Sequence, residues 1–193
     1  MGDAARPLRI YLAGPEVFFP NALAQGEIKK RLCAEHGLEG VYPLDNEIIS
    51  AGRTPEAVAR AISLGNEGLM RSCDLLIANC TPFRGPSLDA GTAYEIGFMR
   101  ALGKPVLGYA NVAADYATRV RAVSSAVRDT WDPETRTADI ENFGLADNLM
   151  IAIAILESAG QLVVRDVPAD CTLSDLQGFR DCLTRVSALG RTT

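Results

Sequence analysis

Residues 86–105 read PSLDAGTAYEIGFMRALGKP, and this stretch predicts a helix with a defined start and end. Asp89 is a typical N-cap residue, and Gly103 ends the helix before the next apolar run. Between these two residues the sequence holds a single acid, Glu95, and a single base, Arg100. We therefore expect a helix that is apolar nearly all round and buried in the fold.

The chain on both sides of this helix alternates short β-rich runs with helical segments. Such alternation is typical of a parallel sheet that helices cover on both faces. Because βαβ crossovers are right-handed, the sequence predicts a doubly wound α/β fold of the flavodoxin or Rossmann type. The predicted strands cover residues 8–13, 40–44, 74–79 and 106–109, and the predicted helices cover residues 21–36, 54–72 and 90–102.

The second half of the chain is less regular, and the role of residues 111–142 stays open. The sequence shows no internal repeat, no low-complexity tract and no domain linker. We therefore expect one domain over residues 1–193, in which residues 160–193 form a C-terminal helical extension. Further helices are predicted at 119–128, 143–159 and 172–189, and an exposed excursion is predicted at 130–141.

Composition argues against two classes of partner. The chain has a net charge of −5, and its longest basic run is the three residues 29–31. We expect that run to be the solvated face of a helix. Because polyanion binding depends on basic patches, we expect no nucleic-acid polymer as a partner. No apolar run approaches the length of a bilayer span, so we expect no membrane partner either.

The cysteines and the single histidine argue against metal and triad chemistry. The five cysteines form an odd count with no Cys-x-x-Cys pair, which is typical of small core residues in a reducing cytoplasm. His36 is the only histidine, and it lies at a predicted helix end. The sequence also lacks a Gly-x-Gly-x-x-Gly or Walker-type loop. We therefore predict no metal and no cofactor.

A ligand site is expected at one edge of the predicted sheet, because open parallel sheets bind ligands outside the carboxyl ends of their strands. Here that edge gathers Tyr11, the turn at 45–47 and the loop at 79–89. Glu95 lies on the helix that enters from the same edge. We therefore expect Asp89 and Glu95 to face one pocket.

Glu95 is the principal candidate for chemistry, since a charge buried without partners is costly. Gly91 and Thr92 lie one turn before it and offer small groups on the same helix face. This leaves room for a ligand beside the acid. The alternative is that Glu95 points to solvent or pairs with an arginine.

Four segments in a fixed order suggest a family. They are IYLAGP at 10–15, PLDN at 43–46, DAGTAYEIG at 89–97 and ADNLM at 146–150. Together they resemble the nucleoside 2-deoxyribosyltransferases over residues 8–155. The most specific part of the resemblance is the Asp-x5-Glu element that is followed later by Asp-Asn.

The resemblance implies that Glu95 is the nucleophile that attacks C1′ of a 2′-deoxynucleoside and displaces the base. The resulting deoxyribosyl–enzyme ester would pass the sugar to a second base. The substrates would be a 2′-deoxynucleoside and a free nucleobase, as in nucleotide salvage, and no cofactor would take part. Tyr11 is similar in position to the family tyrosine that contacts the nucleophile. Without the resemblance, Tyr11 would be interpreted as an aromatic residue of the core.

The resemblance also implies an assembly of several subunits. Asp89 looks like the family acid that holds the 5′-hydroxyl of the sugar, a role compatible with capping the helix. Asn148 resembles the residue that a neighbouring subunit contributes to the same hydroxyl, which implies a homo-oligomer with shared active sites. The alternative for Asn148 is a surface amide on a helix. Gly14, Asp45 and Gly91 complete the predicted substrate-binding residues.

Base recognition and protonation stay open. Phe18 could stack on a purine or pyrimidine ring, and Glu47 stands where some family members carry a base-contacting glutamine. Asn66 stands where many members carry an acid. Its neighbour Glu67 would ordinarily be a solvated helix residue. The sequence thus leaves open which group protonates the leaving base, and whether purines alone or both base classes are accepted.

Two other functions are compatible with the same sequence features. The first is a 2′-deoxynucleoside 5′-monophosphate N-glycosidase, which would pass the sugar to water. A 5′-phosphate would meet the like charge of Asp89, whereas phosphate sites favour arginine, lysine or helix amides. The second is a non-catalytic nucleotide-sensing module, which would leave Glu95 without a use.

Overall fold

The computed structural model describes residues 6–46, 48, 50–127, 140–158 and 161–189. Within them, five strands form one sheet in the order β2-β1-β3-β4-β5, and every neighbouring pair is parallel. The strands are β1 (Arg9–Ala13), β2 (Glu39–Val41), β3 (Leu75–Asn79), β4 (Val106–Ala110) and β5 (Leu162–Val164); the helices are α1 (Ala22–Glu35), α2 (Pro55–Ser72), α3 (Ala90–Ala101), α4 (Tyr116–Val127), α5 (Leu149–Leu156) and α6 (Gln177–Leu189).

Two apolar cores lie on the two faces of the sheet, because successive strand residues point to opposite sides. Ile10 and Leu12 of β1 pack with residues of α1 and α6, among them Leu183. Tyr11 faces the other core, which includes Ile96 of α3. The predicted doubly wound α/β fold with helices on both faces is therefore confirmed.

The strand order reverses between β1 and β3. In a sheet of order 2-1-3-4-5 this is the switch point, where the loops that leave the two strands diverge and open a crevice. The loop after β1 contains Gly14 and a 3-10 turn at Pro15–Phe18, and the loop after β3 leads to α3. The fold thus places both loops beside one crevice.

Several helix starts follow local sequence signals. The Thr54 hydroxyl accepts a hydrogen bond from the Ala57 amide at 3.2 Å and caps α2. Asp89 Oδ2 accepts from the Thr92 amide at 3.1 Å and caps α3, as expected for a helix N-terminus. These contacts explain why the starts of both helices could be predicted.

Three other predictions about the elements are wrong. The helix predicted from residue 143 begins at Leu149, after Gly144 adopts φ +66° and Asn148 caps the helix. The second strand ends at Val41 because a 3-10 turn starts at Pro43, whose nitrogen cannot donate to the sheet. Residues 160–193 were predicted to form a helical extension, but they include the strand β5, and the helix predicted from residue 172 begins at Gln177. Most of the exposed excursion predicted at residues 130–141 lies outside the described residues.

The prediction that α3 is buried all round is also wrong. Its buried residues are Thr92, Ile96 and Met99, which form one stripe, whereas Tyr94 and Gly97 are exposed. A helix that lies on a sheet covers one side only, so a composition rich in alanine and glycine does not by itself bury the opposite side.

Candidate active site

A cavity of about 290 Å³ lies at the predicted edge of the sheet. Five of the residues that line it are apolar and large enough to contact a planar ring, and four others carry hydroxyl, amide or carboxylate groups. The residues that line the cavity are Gly14, Val17, Phe18, Pro43, Leu44, Ile62, Asn66, Asp89, Gly91, Thr92 and Glu95. Six of the predicted site residues therefore meet in one place, namely Gly14, Phe18, Asn66, Asp89, Gly91 and Glu95.

Glu95 lines the cavity from α3, and Tyr11 of β1 holds its carboxylate. The Tyr11 hydroxyl donates a hydrogen bond to Glu95 Oε1 at 2.7 Å. Burial raises the pKa of Glu95 to about 7; the Tyr11 hydrogen bond acts in the opposite direction, and the charge of Asp89 adds to the rise. Burial, followed by the charge of Glu95, raises the pKa of Tyr11 above its usual range, so the phenol keeps its proton. Tyr11 is thus a donor that favours the ionised form of Glu95.

Asp89 combines the capping of α3 with a place in the cavity wall. Its Oδ2 accepts the Thr92 amide, while its Oδ1 takes no hydrogen bond from the described residues. A Cβ atom added to Gly91 would lie 2.9 Å from Asp89 Oδ2. Glycine at position 91 therefore keeps the space beside this carboxylate open.

Phe18 forms the exposed part of the apolar wall. Its ring stacks on Phe83 with centroids 5.7 Å apart and planes 10° apart. The Arg84 guanidinium lies 4.6 Å from the centroid of each ring. An aromatic surface at the mouth of a cavity is a suitable platform for a nucleobase.

Glu67, the acid next to Asn66, does not line the cavity. Asn66 lines the cavity and its Oδ1 accepts a hydrogen bond from Asn46 at 3.3 Å. Glu67 accepts a hydrogen bond from the Tyr94 hydroxyl at 2.7 Å and is not part of the cavity lining. Of the carboxylates that the structure describes, two therefore line the cavity, Asp89 and Glu95.

Two predicted site residues, Asp45 and Asn148, do not line the cavity, and the structure does not describe a third. Asp45 accepts a hydrogen bond from the Tyr42 amide at 2.9 Å and pairs with Lys30, so its carboxylate is used within the fold. Asn148 caps α5 and donates to Glu141 at 2.8 Å. Glu47 lies outside the described residues.

A buried ion pair behind the cavity was missed. Lys29 and Glu16 are each 1% exposed and form a salt bridge, so the prediction of a solvated basic run at 29–31 is wrong for Lys29. Glu16 Oε1 also accepts hydrogen bonds from Asn79 at 2.9 Å and Tyr109 at 3.2 Å. The pair fixes the turn that carries Gly14. A glutamate directly after Gly-Pro was the available signal, but its lysine partner could not be identified from spacing.

A second buried pair fixes the loop before α3. Asp147 Oδ2 accepts the Leu88 amide at 3.1 Å, and its Oδ1 accepts the Ser87 hydroxyl. Arg119 contacts the same Asp147 carboxylate at 3.4 Å and donates to the Pro86 carbonyl at 2.7 Å. Asp147 therefore holds the loop that leads to the α3 cap, a role that the Asp-Asn motif alone did not reveal.

The described residues show no group of three or more His, Cys, Asp or Glu side chains arranged to bind a metal ion. Among the same residues, none of the helices has the length and apolar character that a membrane span requires.

Comparison with known proteins now adds to this geometry. A family model described as nucleoside 2-deoxyribosyltransferase matches residues 10–150. The chain belongs to the nucleoside 2-deoxyribosyltransferase family. The matched region contains every residue that lines the cavity, and it confirms the family predicted from the four sequence segments.

Three relatives place this member of the nucleoside 2-deoxyribosyltransferase family more closely. It is similar to the solved 2-desoxiribosyltransferase from Leishmania mexicana, with 32% identity and a TM-score of 0.55 over 75% of this chain and 85% of that one. It is 37% identical over 145 residues to an uncharacterized protein of Schizosaccharomyces pombe. The aligned region covers 74% of this chain and 69% of that protein. A conserved protein from Enterococcus faecalis shares the fold alone, with 20% identity and a TM-score of 0.55 over 95% of this chain and 99% of that one.

Proposed function

We propose that the protein transfers the 2-deoxyribosyl group between nucleobases through a covalent deoxyribosyl–Glu95 intermediate. The observation that carries the proposal is the 2.7 Å hydrogen bond between Tyr11 and Glu95, whose carboxylate shares a cavity with Asp89. The apolar residues that line the cavity suit a base, and the carboxylates suit a sugar.

Two displacements at C1′ account for the reaction. In the first, a Glu95 oxygen bonds to C1′ while the C1′–N bond breaks. The electron pair of the C1′–N bond leaves with the base, and the base takes up a proton. In the second, a nitrogen of the incoming base bonds to C1′, the ester bond breaks, and the base releases its proton. Both transition states carry oxocarbenium character, which the nearby carboxylates of Glu95 and Asp89 stabilise.

The ionisation of Glu95 suits this role. With its pKa raised to about 7 by burial, the carboxylate is ionised in a substantial fraction of molecules at neutral pH. A weakly solvated carboxylate is also a better nucleophile than a fully hydrated one. The Tyr11 hydroxyl offsets part of the cost of burial by hydrogen bonding to the charged form.

We also propose a homo-oligomer in which Asn148 reaches the cavity of a neighbouring subunit. Asn148 does not line the cavity of its own chain. It begins α5, whose side chains Met150, Ile153 and Leu156 are all exposed, with Met150 72% exposed. A row of exposed apolar side chains on one short helix is typical of a surface that another subunit covers. This supports an assembly that places Asn148 against a second copy.

The test is an exchange reaction. We expect the protein, incubated with deoxyinosine and adenine, to produce deoxyadenosine and hypoxanthine, measured by chromatography. Free deoxyribose in place of the new nucleoside would instead indicate the hydrolase, and the absence of any turnover would indicate a sensing module. Glu95→Ala should abolish exchange in a folded protein. The matched control is Glu39→Ala, an exposed glutamate at the opposite, amino-terminal edge of the sheet, which should leave exchange unchanged.

A further inference from the structure

We propose that Arg84, held beside Phe18, recognises nucleobases that carry a ring carbonyl next to an acceptor nitrogen, such as hypoxanthine and guanine, and disfavours adenine. The inference rests on the proposed function, because it assigns the apolar side of the same cavity to the base. None of the four family segments contains Arg84, which lies in the loop between β3 and α3.

The position of Arg84 is the first support. Its guanidinium carbon lies 4.6 Å from the centroid of Phe18, a ring that lines the cavity and is 51% exposed. The same carbon lies 4.6 Å from the Phe83 centroid. A base stacked on Phe18 would therefore lie close to a planar cation that contacts the same ring.

The free donors of Arg84 are the second support. Within the described part of the chain, no carboxylate or carbonyl accepts a hydrogen bond from its guanidinium, whose contacts are with the two rings. Other exposed arginines, such as Arg60 and Arg100, pair with glutamates. Five N–H donors thus remain available beside Phe18, which lines the cavity.

The loop that carries Arg84 is fixed rather than free to adapt. The Phe83 amide donates to the Ser87 carbonyl at 3.0 Å, and Ser87 and Leu88 are both bound by the buried Asp147. Arg84 itself has φ +59°, a left-handed conformation that is costly for a residue with a Cβ atom. A strained residue on a fixed loop beside a cavity is a frequent feature of functional sites.

The chemistry explains the preference. An arginine fork can donate two parallel hydrogen bonds to O6 and N7 of a 6-oxopurine. Adenine presents an amino group at the position of O6, so one donor of the fork would face another donor. When the C1′–N bond breaks, its electron pair stays on the base, and the guanidinium, which keeps its own protons, stabilises that charge until water protonates the base. This role matters here because, among the described residues, no third acid lines the cavity beside Asp89 and Glu95.

The experiment compares two bases and three variants. We expect wild-type protein to bind hypoxanthine about tenfold more tightly than adenine by titration calorimetry, a ratio within the range of one bidentate contact. Arg84→Met should remove most of this preference by weakening hypoxanthine binding. Arg84→Lys, which keeps the charge without the fork, should lose it as well. Arg180→Met is the matched control, because Arg180 lies on α6 and pairs with Glu35.

Exchange kinetics supply the second measurement. Arg84→Met should lower kcat/KM for deoxyinosine about tenfold and that for deoxyadenosine less than threefold. The assignment would be overturned if the wild type bound both bases equally or bound neither. It would also be overturned if Arg84→Met or Arg84→Lys kept the wild-type preference for hypoxanthine. Base binding with the expected preference but without any exchange would overturn the proposed transfer and leave the base site standing.

Discussion

The Tyr11 hydroxyl lies 2.7 Å from Glu95 Oε1, although the two residues are 84 positions apart in the sequence. One lies on β1 and the other on α3, so the contact exists only in the folded chain. Because burial raises the pKa of Glu95 to about 7 while Tyr11 opposes the rise, the pH dependence of catalysis should depend on this single hydrogen bond.

Tyr11→Phe should raise the pKa of Glu95 further and reduce activity most at low pH. Since the ionised carboxylate is the proposed nucleophile, wild-type kcat should rise with pH through about 7. A hydrogen bond to a charged group is worth about 1.5–3 kcal/mol. The acidic limb of the curve of kcat against pH should therefore move up by about one pH unit or more in Tyr11→Phe. Tyr42→Phe is the control, because the buried Tyr42 hydroxyl has no partner among the described residues. An unchanged limb in Tyr11→Phe would contradict the role of Tyr11.

Glu95→Gln should stabilise the fold at high pH. The pKa of Glu95 is raised from 4.5 to about 7, so the folded state binds more protons than the unfolded state between these values. Stability due to this group is therefore lost as the pH rises from about 4.5 to 7, and the cost above pH 7 is on the order of 3 kcal/mol.

Urea unfolding at pH 5 and pH 8 measures this effect. Glu95→Gln should exceed the wild type in free energy of unfolding at pH 8 and differ little at pH 5. The exposed Glu56→Gln variant should show no such pH dependence. A Glu95→Gln protein that is less stable than the wild type at pH 8 would show that the carboxylate is not under strain.

The sequence was sufficient for the parts of the fold that depend on local signals. Caps at Thr54 and Asp89 and the strand-helix alternation could be identified because each is encoded within a few residues. The start of α5 could not, since the apolar periodicity continues back to Phe143 while the backbone turns at Gly144. Periodicity records which face could be buried, not where the helix begins.

Gly14→Ala should destabilise the fold and disturb the cavity. A Cβ atom at Gly14 would lie 2.0 Å from Glu16 Oε2 and 2.9 Å from Asn79 Cβ. The Glu16 carboxylate cannot move aside easily, because Lys29 and Asn79 hold it. We expect a loss of about 1–3 kcal/mol, as for overpacking in a core. Gly68→Ala, an exposed helix position with no atom within 4 Å of the added Cβ, should instead be neutral or stabilising in thermal unfolding.

Lys29→Met should lower the free energy of unfolding more than the neighbouring substitution Lys30→Met. Lys29 is buried, and its removal leaves the Glu16 charge buried without a cation, which typically costs about 3–5 kcal/mol. Lys30 is partly exposed and pairs with Glu27 and Asp45, so its loss should cost less than about 1 kcal/mol.

A double variant isolates the charge effect in this pair. Glu16→Gln combined with Lys29→Met should recover a large part of the stability that Lys29→Met loses, as measured by urea unfolding. Equal losses in the single and double variants would indicate that Lys29 stabilises the fold through packing on Tyr109 and Phe179 alone.

The residues of the candidate site could be predicted from the sequence where they lie close together on a single helix. Glu95, Asp89 and Gly91 lie at the cap or within the first two turns of α3, so a motif was enough to locate them. The Glu16–Lys29 ion pair and the hydrogen bonds of Asp147 join elements that are distant in sequence. Complementary charges at arbitrary spacing give no pattern in a single sequence, and these contacts therefore required the structure.

Two inactive variants should restore activity to each other if active sites are shared between subunits. One subunit would carry Glu95→Ala and the other Asn148→Ser, which keeps an oxygen to cap α5 but shortens the side chain. In a mixed oligomer, a site that takes Glu95 from one subunit and Asn148 from the other contains neither substitution. About a quarter of the sites should be intact in a random mixture before purification, and about half in a purified dimer of one subunit of each kind, whereas each variant alone should have little exchange activity. Co-expression with two different affinity tags and sequential purification would isolate the mixed oligomer. If Asn148 acts within its own chain, or only as a cap, the mixed oligomer should be no more active than the average of its parents.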